Sequence, residues 1–419
     1  GASEKIKNVV LLMMENRSFD RMMGFFKYID NLIGKKEFNY VQPNDTSSTK
    51  VYATSNGLLK DPLDPPHGYE QVTYQITGNA SMPSNAKFKH APMSGFVGSF
   101  AKEFPDVANN VTALQQAVDA FDPSSIPITY ELASNYTIID RYFSSFPGST
   151  MPNRMFAHSA TSHGEVNTDG IKYIPGYPQR TIFHNLDDAG IKWRNYYQIV
   201  PSLLVFNKMR LSALDNYKNW ATFKSDAKEG KLPPYSFIDP AYFSIPRCIP
   251  ENDDHPPSDV AEGEKLIKEV YEALRASPQW NETLFIVTFD EHGGYFDHVP
   301  TPLEAPNPDN ITADDFDFDR LGVRVPMILI SPWVEKGGVI HGAKGPYANS
   351  EYEHSSIPAT IKKLFNLPKF LNKRDAWAGT FEHAISLDKP RQDCPVTLSE
   401  PPAPAENNTN TKFGKSSIA

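Results

Sequence analysis

Cysteine is nearly absent from this chain: two residues in 419, Cys248 and Cys394. One bridge is then the most that pairing within the chain can supply, so disulfides do not replace a hydrophobic core. No apolar run approaches the ~20 residues of a membrane-spanning helix. Positive charge is in deficit, with 41 Lys and Arg against 50 Asp and Glu, a net charge of −9. That argues against non-specific nucleic-acid binding and against electrostatic docking on anionic membranes, though not against zwitterionic lipid. Internal repeats and a second apolar core are also missing. One α/β domain over residues 1–399, followed by a flexible tail over 400–419, is the economical organisation.

A secretory leader is missing too, and the first apolar run begins near residue 6. A mature chain whose leader has been removed reads this way. Glycosylation sequons are frequent, at Asn44, Asn79, Asn110, Asn135, Asn281, Asn310 and Asn407. Their number points to a secreted or cell-wall glycoprotein. In that setting Cys248 and Cys394 are expected to be bonded, a bridge worth roughly 2–4 kcal/mol.

Two stretches carry the strongest signals. Leu284 to Val287 is a continuous apolar run that leads into Asp290-Glu291-His292-Gly293-Gly294. Ile6 to Met14 is another, and it ends in Glu15-Asn16-Arg17-Ser18-Phe19-Asp20. Runs of this kind predict strands buried on both faces. Ligands in open α/β sheets sit at the carboxyl ends of such strands. Adjacent carboxylates repel, and burying them unpaired is costly. A shared cation removes the conflict; a solvated acidic turn is the plainer alternative.

Further along, residues ~30 to 65 predict a long surface loop, closing on Asp64-Pro65-Pro66-His67. The strand Tyr136 to Asp140 precedes a turn containing Ser149 and Thr150, and then a helix. A hydroxyl at that helix start is either a nucleophile or an ordinary cap. His255 is braced by Pro256 and Pro257, and Ser258 is expected to cap the amphipathic helix that follows. Strands are predicted at 192–197, 235–240 and 323–330, and a helix at 357–365 after His354.

Glu15, Asn16, Asp290 and Glu291 offer oxygen donors, which suit one hard divalent cation of the Ca²⁺, Mg²⁺ or Mn²⁺ class. A threonine hydroxyl needs such activation to attack phosphorus, and a histidine can protonate the leaving alkoxide. The residues thus suggest metal-assisted phosphoryl transfer.

Together, Glu15-Asn16-Arg17-Ser18-Phe19-Asp20, Thr150-Met-Pro-Asn153-Arg154, His158 to Gly164, Asn252-Asp-Asp-His255-Pro-Pro, Thr288 to Gly294 and Lys373 to Phe381 resemble the phosphoesterase family. That family includes non-specific and phosphatidylcholine-specific phospholipases C and a group of acid phosphatases. The resemblance implies an alkaline-phosphatase-like fold, a central mostly parallel sheet with helices on both faces. It implies metal ligation by Glu15, Asn16, Asp290, Glu291 and Thr150, with Thr150 as nucleophile. It also implies His67, His255 and His354 around the phosphate. Threonine at the nucleophile position resembles the phospholipase branch; the acid-phosphatase branch has serine there. The expected substrate is a phospholipid or a small phosphate ester, with transient contact to a membrane surface. A phosphomonoesterase and a catalytically silent cation-binding glycoprotein are the competing readings.

Overall fold

The computed structural model describes residues 1–405 apart from 169, 212, 213, 314 and 315. Its twelve strands are β1 Asn8–Met14, β2 Phe38–Tyr40, β3 Lys50–Tyr52, β4 Thr137–Ile139, β5 Tyr142–Phe143, β6 Trp193–Tyr197, β7 Tyr217–Asn219, β8 Tyr235–Ile238, β9 Thr283–Phe289, β10 Met327–Ile330, β11 Gly338–Ile340 and β12 Tyr352–Glu353. Eight of them form one sheet in the order β11-β4-β10-β9-β1-β8-β6-β7. Only β10 runs against its neighbours. This is the α/β architecture expected, built on a central, mostly parallel sheet. The two apolar runs become its central pair, and every residue of β1 and β9 is buried. Helices pack around the sheet and complete one large core.

Register decides what the sheet presents at its edge. Met14 pairs with Phe289 at the last position of both β1 and β9. The next residues, Glu15 and Asp290, therefore leave the sheet side by side. β4 and β8 end at the same edge, followed by Asp140 and Asp239.

Several local expectations are corrected. The predicted loop over 30–65 contains a short antiparallel pair, β2 with β3. Ser258 does not cap the helix Val260–Arg275. Asp259 does, accepting from the Ala261 amide at 2.9 Å, while the Ser258 hydroxyl donates to the His255 carbonyl. Cys248 and Cys394 are not bonded; both are free thiols. Cys248 lies in the turn Ile245–Ile249, beyond the carboxyl end of β8. Cys394 is buried at the opposite end of the Val260–Arg275 helix, where Arg275 Nε donates to its carbonyl at 3.2 Å. That helix has 16 residues, about 24 Å of length, which keeps the thiols far beyond disulfide reach. At the chain's end, Ser399 and Ala405 are tied to Glu131 and Asp259. The remainder of the expected tail, 406–419, lies outside the described residues, as does Asn407.

One buried ion cluster locks the loops that leave β1 and β9. Arg324 contacts Asp20 at 2.9 Å and Asp297 at 3.2 Å, and its guanidinium lies 3.9 Å from the Phe19 ring centroid. His298 joins it, with Nδ1 2.7 Å from Asp20 and Nε2 2.8 Å from Asp30. Burial alone would lower the His298 pKa, but hydrogen bonding to Asp20 and the charges of Asp20 and Asp297 outweigh it and raise it to about 9. The stabilisation from protonated His298 is therefore complete below its ordinary pKa of roughly 6.5 and is lost as pH rises through about 9. His298→Asn should flatten the fall in stability between those limits, measured by urea unfolding across pH. An unchanged slope would show that His298 does not carry it.

Candidate functional site

Glu15 and Asn16 follow β1, and Asp290 and Glu291 follow β9, as the register requires. Asn16 adopts a left-handed backbone, φ 62°, which Asn tolerates better than most residues. Its amide donates to Asp290 Oδ1 at 3.0 Å. Asp290 Oδ1 also accepts the Glu291 amide at 2.7 Å, and Glu291 Oε2 accepts the Gly293 amide at 2.6 Å. Gly293 is required by space as well as by its φ of +65°: a Cβ there would sit 2.1 Å from the Asn16 carbonyl oxygen.

After these bonds are made, three buried oxygens have no hydrogen-bond donor among the described residues: Asn16 Oδ1, Asp290 Oδ2 and Glu291 Oε1. Buried polar atoms are rarely left so, and carboxylate and amide oxygens are the donor type a hard cation takes. Burial pushes Glu15, Asp290 and Glu291 all above the usual carboxylate range. Glu15 raises Asp290 further, and Asp290 does the same to Glu291. The fold thus holds mutually repelling carboxylates together, and a divalent ion would relieve the repulsion.

Thr150 opens the helix Thr150–Ser159. The preceding turn is knotted by Asn153, whose side chain accepts from the Ser145 and Phe146 amides at 2.9 Å and donates to the Phe146, Gly148 and Ser149 carbonyls. Arg154, one residue on, ties this helix to the sheet. Its Nε lies 3.2 Å from Glu15 and 3.4 Å from Asp290 Oδ2. Its other nitrogens donate to the Met13 carbonyl and the Tyr242 hydroxyl, each at 3.0 Å. Glu15, Thr150, Arg154, Tyr242 and His255 share one cleft of about 800 Å³, whose outer wall includes Ile174, Val200, Leu204 and Val205.

The three histidines separate. His67 Nε2 is 3.2 Å from Asn16 Nδ2 and 3.7 Å from Glu291 Oε1, while Nδ1 meets the Pro65 carbonyl at 2.7 Å. Burial would lower its pKa, but Glu291 and Asp64 raise it to about 9. His255 lies beside it, ring centroids 5.8 Å apart, with Nδ1 fixed by the Pro256 carbonyl at 2.6 Å. Like His67, Asn16, Asp290 and Glu291, His354 does not line the cleft. It is fully buried, its Nε2 on the Asp290 carbonyl at 2.6 Å and its Nδ1 beside the Tyr142 hydroxyl at 2.9 Å. Burial lowers its pKa to about 4, so at neutral pH it is an uncharged brace behind Asp290.

Sequence reasoning assigned no role to Arg17, Asp61, Asn153 or Arg154. Arg17 holds the His255 loop through the Asp254 carbonyl, at 2.8 and 2.9 Å, and is itself held by Asp61 and Tyr295. Arg154 carried a usable signal: arginine in the first turns of a helix beside a glycine turn, where a cation opposes the helix dipole. The carboxylates give a test that does not depend on turnover. Carboxylates whose folded pKa is raised stabilise below their unfolded pKa and lose that contribution as pH rises through the folded value. Ca²⁺, Mg²⁺ or Mn²⁺ should therefore raise the melting temperature more at pH 8 than at pH 5. Asp290→Asn should remove the increment. No cation response at either pH would rule out this donor set.

The model of the phosphoesterase family matches residues 6–368. Non-specific phospholipase C4 of Arabidopsis thaliana is 47% identical over 413 residues, 95% of this chain and 75% of that protein. Non-specific phospholipase C3 of the same plant is 44% identical, covering 98% and 79%. Phospholipase C B of Mycobacterium tuberculosis is 26% identical, covering 94% and 80%. Among solved structures, an alkaline phosphatase superfamily protein from Vibrio parahaemolyticus covers 90% of this chain and 69% of its own at 11% identity, with a TM-score of 0.38, too distant to carry an argument. The chain belongs to the phosphoesterase family and is a phosphoric ester hydrolase.

Proposed function

We propose that this protein is a metal-dependent phospholipase C that releases diacylglycerol and a phosphorylated head group. The observation that carries the reading is the cleft itself. Thr150, Glu15, Arg154 and His255 stand at its polar end, and the wall built by Ile174, Val200, Leu204 and Val205 is apolar. A phosphodiester with an apolar body matches both ends. The relatives named as phospholipases C support the same class.

In the first step the Thr150 hydroxyl releases its proton to water and attacks phosphorus. A phosphorus–oxygen bond forms to Thr150 Oγ1, and the bond to the glycerol oxygen breaks. His255, with Nδ1 anchored on Pro256, is placed to deliver a proton from Nε2 to the leaving oxygen. Water then hydrolyses the phosphothreonine, releasing the phosphorylated head group and restoring the hydroxyl. Arg154 holds the nucleophile's helix against the strand ends. One divalent cation on Glu15, Asn16, Asp290 and Glu291, with Thr150 as a further ligand, would neutralise phosphoryl charge and acidify the hydroxyl.

Secretion as a glycoprotein completes the proposal. The described sequon asparagines 44, 79, 110, 135, 281 and 310 are all exposed or half-buried, whereas Asn16, which also fits the pattern, is buried in the site.

Turnover of a chromogenic phosphocholine ester should exceed that of the matching phosphomonoester; the reverse order would make the protein a phosphomonoesterase. Thr150→Ala should lower kcat by on the order of 10³ or more, because the covalent route is lost. Thr150→Ser should retain partial activity, since it loses only the methyl that restricts χ1. Ser149→Ala should be nearly silent: among the described residues the Ser149 hydroxyl makes no cap bond and accepts from Thr168 Oγ1 at a long 3.3 Å. Loss of activity in Ser149→Ala with survival in Thr150→Ala would move the nucleophile by one residue.

A further inference from the structure

We infer that the face around the cleft mouth is a docking surface for a phospholipid bilayer; the inference rests on the phospholipase reading above. Three segments build the mouth: 171–177, 200–211 and the residues beside Tyr242. Arg210 locks the first two into one plate. Its guanidinium donates to the Leu204 carbonyl at 2.8 Å, the Ile174 carbonyl at 2.7 Å and the Tyr173 carbonyl. Backbone bonds add to this, Tyr177 amide to Val205 carbonyl at 2.8 Å and Asn207 amide to Tyr177 carbonyl at 3.0 Å.

The inner side of the plate is cleft wall. Its outer side leaves large apolar side chains in water: Ile171 and Ile174 are each 77% exposed and Leu211 87%. Val200 and Phe243 are exposed on the same rim, and Phe243 follows the cleft-lining Tyr242. Single exposed apolar residues are ordinary, but a group gathered round one opening marks an interaction surface. Segments 171–177 and 200–211 contain Lys172, Lys208 and Arg210, with Lys172 shared with Glu165 at 2.9 Å. Apolar side chains interleaved with Lys and Arg suit the headgroup boundary of a bilayer.

The cleft selects between occupants. Ile174, Val200 and Arg210 belong both to its wall and to the rim. A protein seated on this face would cover the opening. A bilayer seated there would place lipid phosphates at the mouth, and one lipid could rise along the apolar wall toward Thr150 without passing through water.

The test uses the full chain carrying Ile171→Gln, Leu211→Gln and Phe243→Gln, none of which lines the cleft. Three quantities are compared with the parent: sedimentation with phosphatidylcholine vesicles, hydrolysis of those vesicles, and hydrolysis of dihexanoyl-phosphatidylcholine below its micelle threshold. Vesicle binding and vesicle hydrolysis should each fall about tenfold or more, while turnover of the monomeric lipid stays within about twofold. Leu211→Trp alone should keep vesicle binding and give a blue-shifted emission component when vesicles are added. Unchanged vesicle binding in the triple variant overturns the docking surface, and so does an equal loss on vesicles and monomers. A parent enzyme that turns over a phosphomonoester but neither lipid overturns the phospholipase reading instead.

Discussion

The structure depends on a conflict between charges at one sheet edge. β1 and β9 run parallel, in register to their last residues, and each then releases a carboxylate into the same buried space. Nothing in sheet geometry requires acidic residues there, and burial disfavours them. The surrounding parts answer that conflict in two ways. The backbone amides of Asn16 and Glu291 both donate to Asp290 Oδ1, and that of Gly293 donates to Glu291 Oε2. Arg154 arrives from a helix and lies against Glu15 and Asp290. The amides account for one oxygen of each residue in that pair and leave Asp290 Oδ2 and Glu291 Oε1 buried without a hydrogen bond among the described residues. A site that paired every oxygen would be more stable and could not bind a cation.

Much of this was legible in the sequence, because the strongest local signals were also the central ones. A continuous apolar run can be buried on both faces only inside a sheet, and two such runs ending in acid and amide residues implied that their ends meet. Thr150 was found by a different signal, a turn followed by a helix. What could not be read was partnership over distance. Arg154 reaches the Met13 carbonyl across 141 positions, and Arg17 reaches Asp254 across 237. An arginine that ends on a backbone carbonyl leaves no pattern in the chain that holds that carbonyl. His354 shows the same limit. Its polar flank, Glu351 to Ser355, resembled a loop at a phosphate, yet short β12 pairs with β5 and carries the side chain behind Asp290. The two cysteines were paired on the redox setting that the sequons suggest. Their separation depends on the path of the Val260–Arg275 helix, which composition does not report.

The arginines divide the work of holding the site. Arg324 closes the loops leaving β1 and β9 from beneath, between Asp20 and Asp297. Arg17 sets the His255 loop, and Arg154 sets the Thr150 helix. Each is almost completely buried and each binds both carboxylate and carbonyl oxygen. Guanidinium suits this task because its planar fork of five donors can bridge several elements at once, where an ammonium would act as a point charge on a flexible stem. The elements that carry Thr150, His255 and Asp290 are far apart in sequence, and these three side chains bring them to fixed relative positions without a disulfide.

The cleft's two ends also bear on the choice between diester and monoester chemistry. A phosphomonoester with a small polar leaving group would use only the end near Thr150 and Arg154. It would leave Ile174, Val200, Leu204 and Val205 wet, with no return for holding them beside the site. A lipid diester brings one negative charge to phosphorus and a large apolar body, so its binding energy comes from the wall and not from added cations. Interactions with such a remote, unreacting part of a substrate can be used to hold the reacting phosphorus in line with the hydroxyl. On that reasoning the apolar wall belongs to the same functional unit as Thr150.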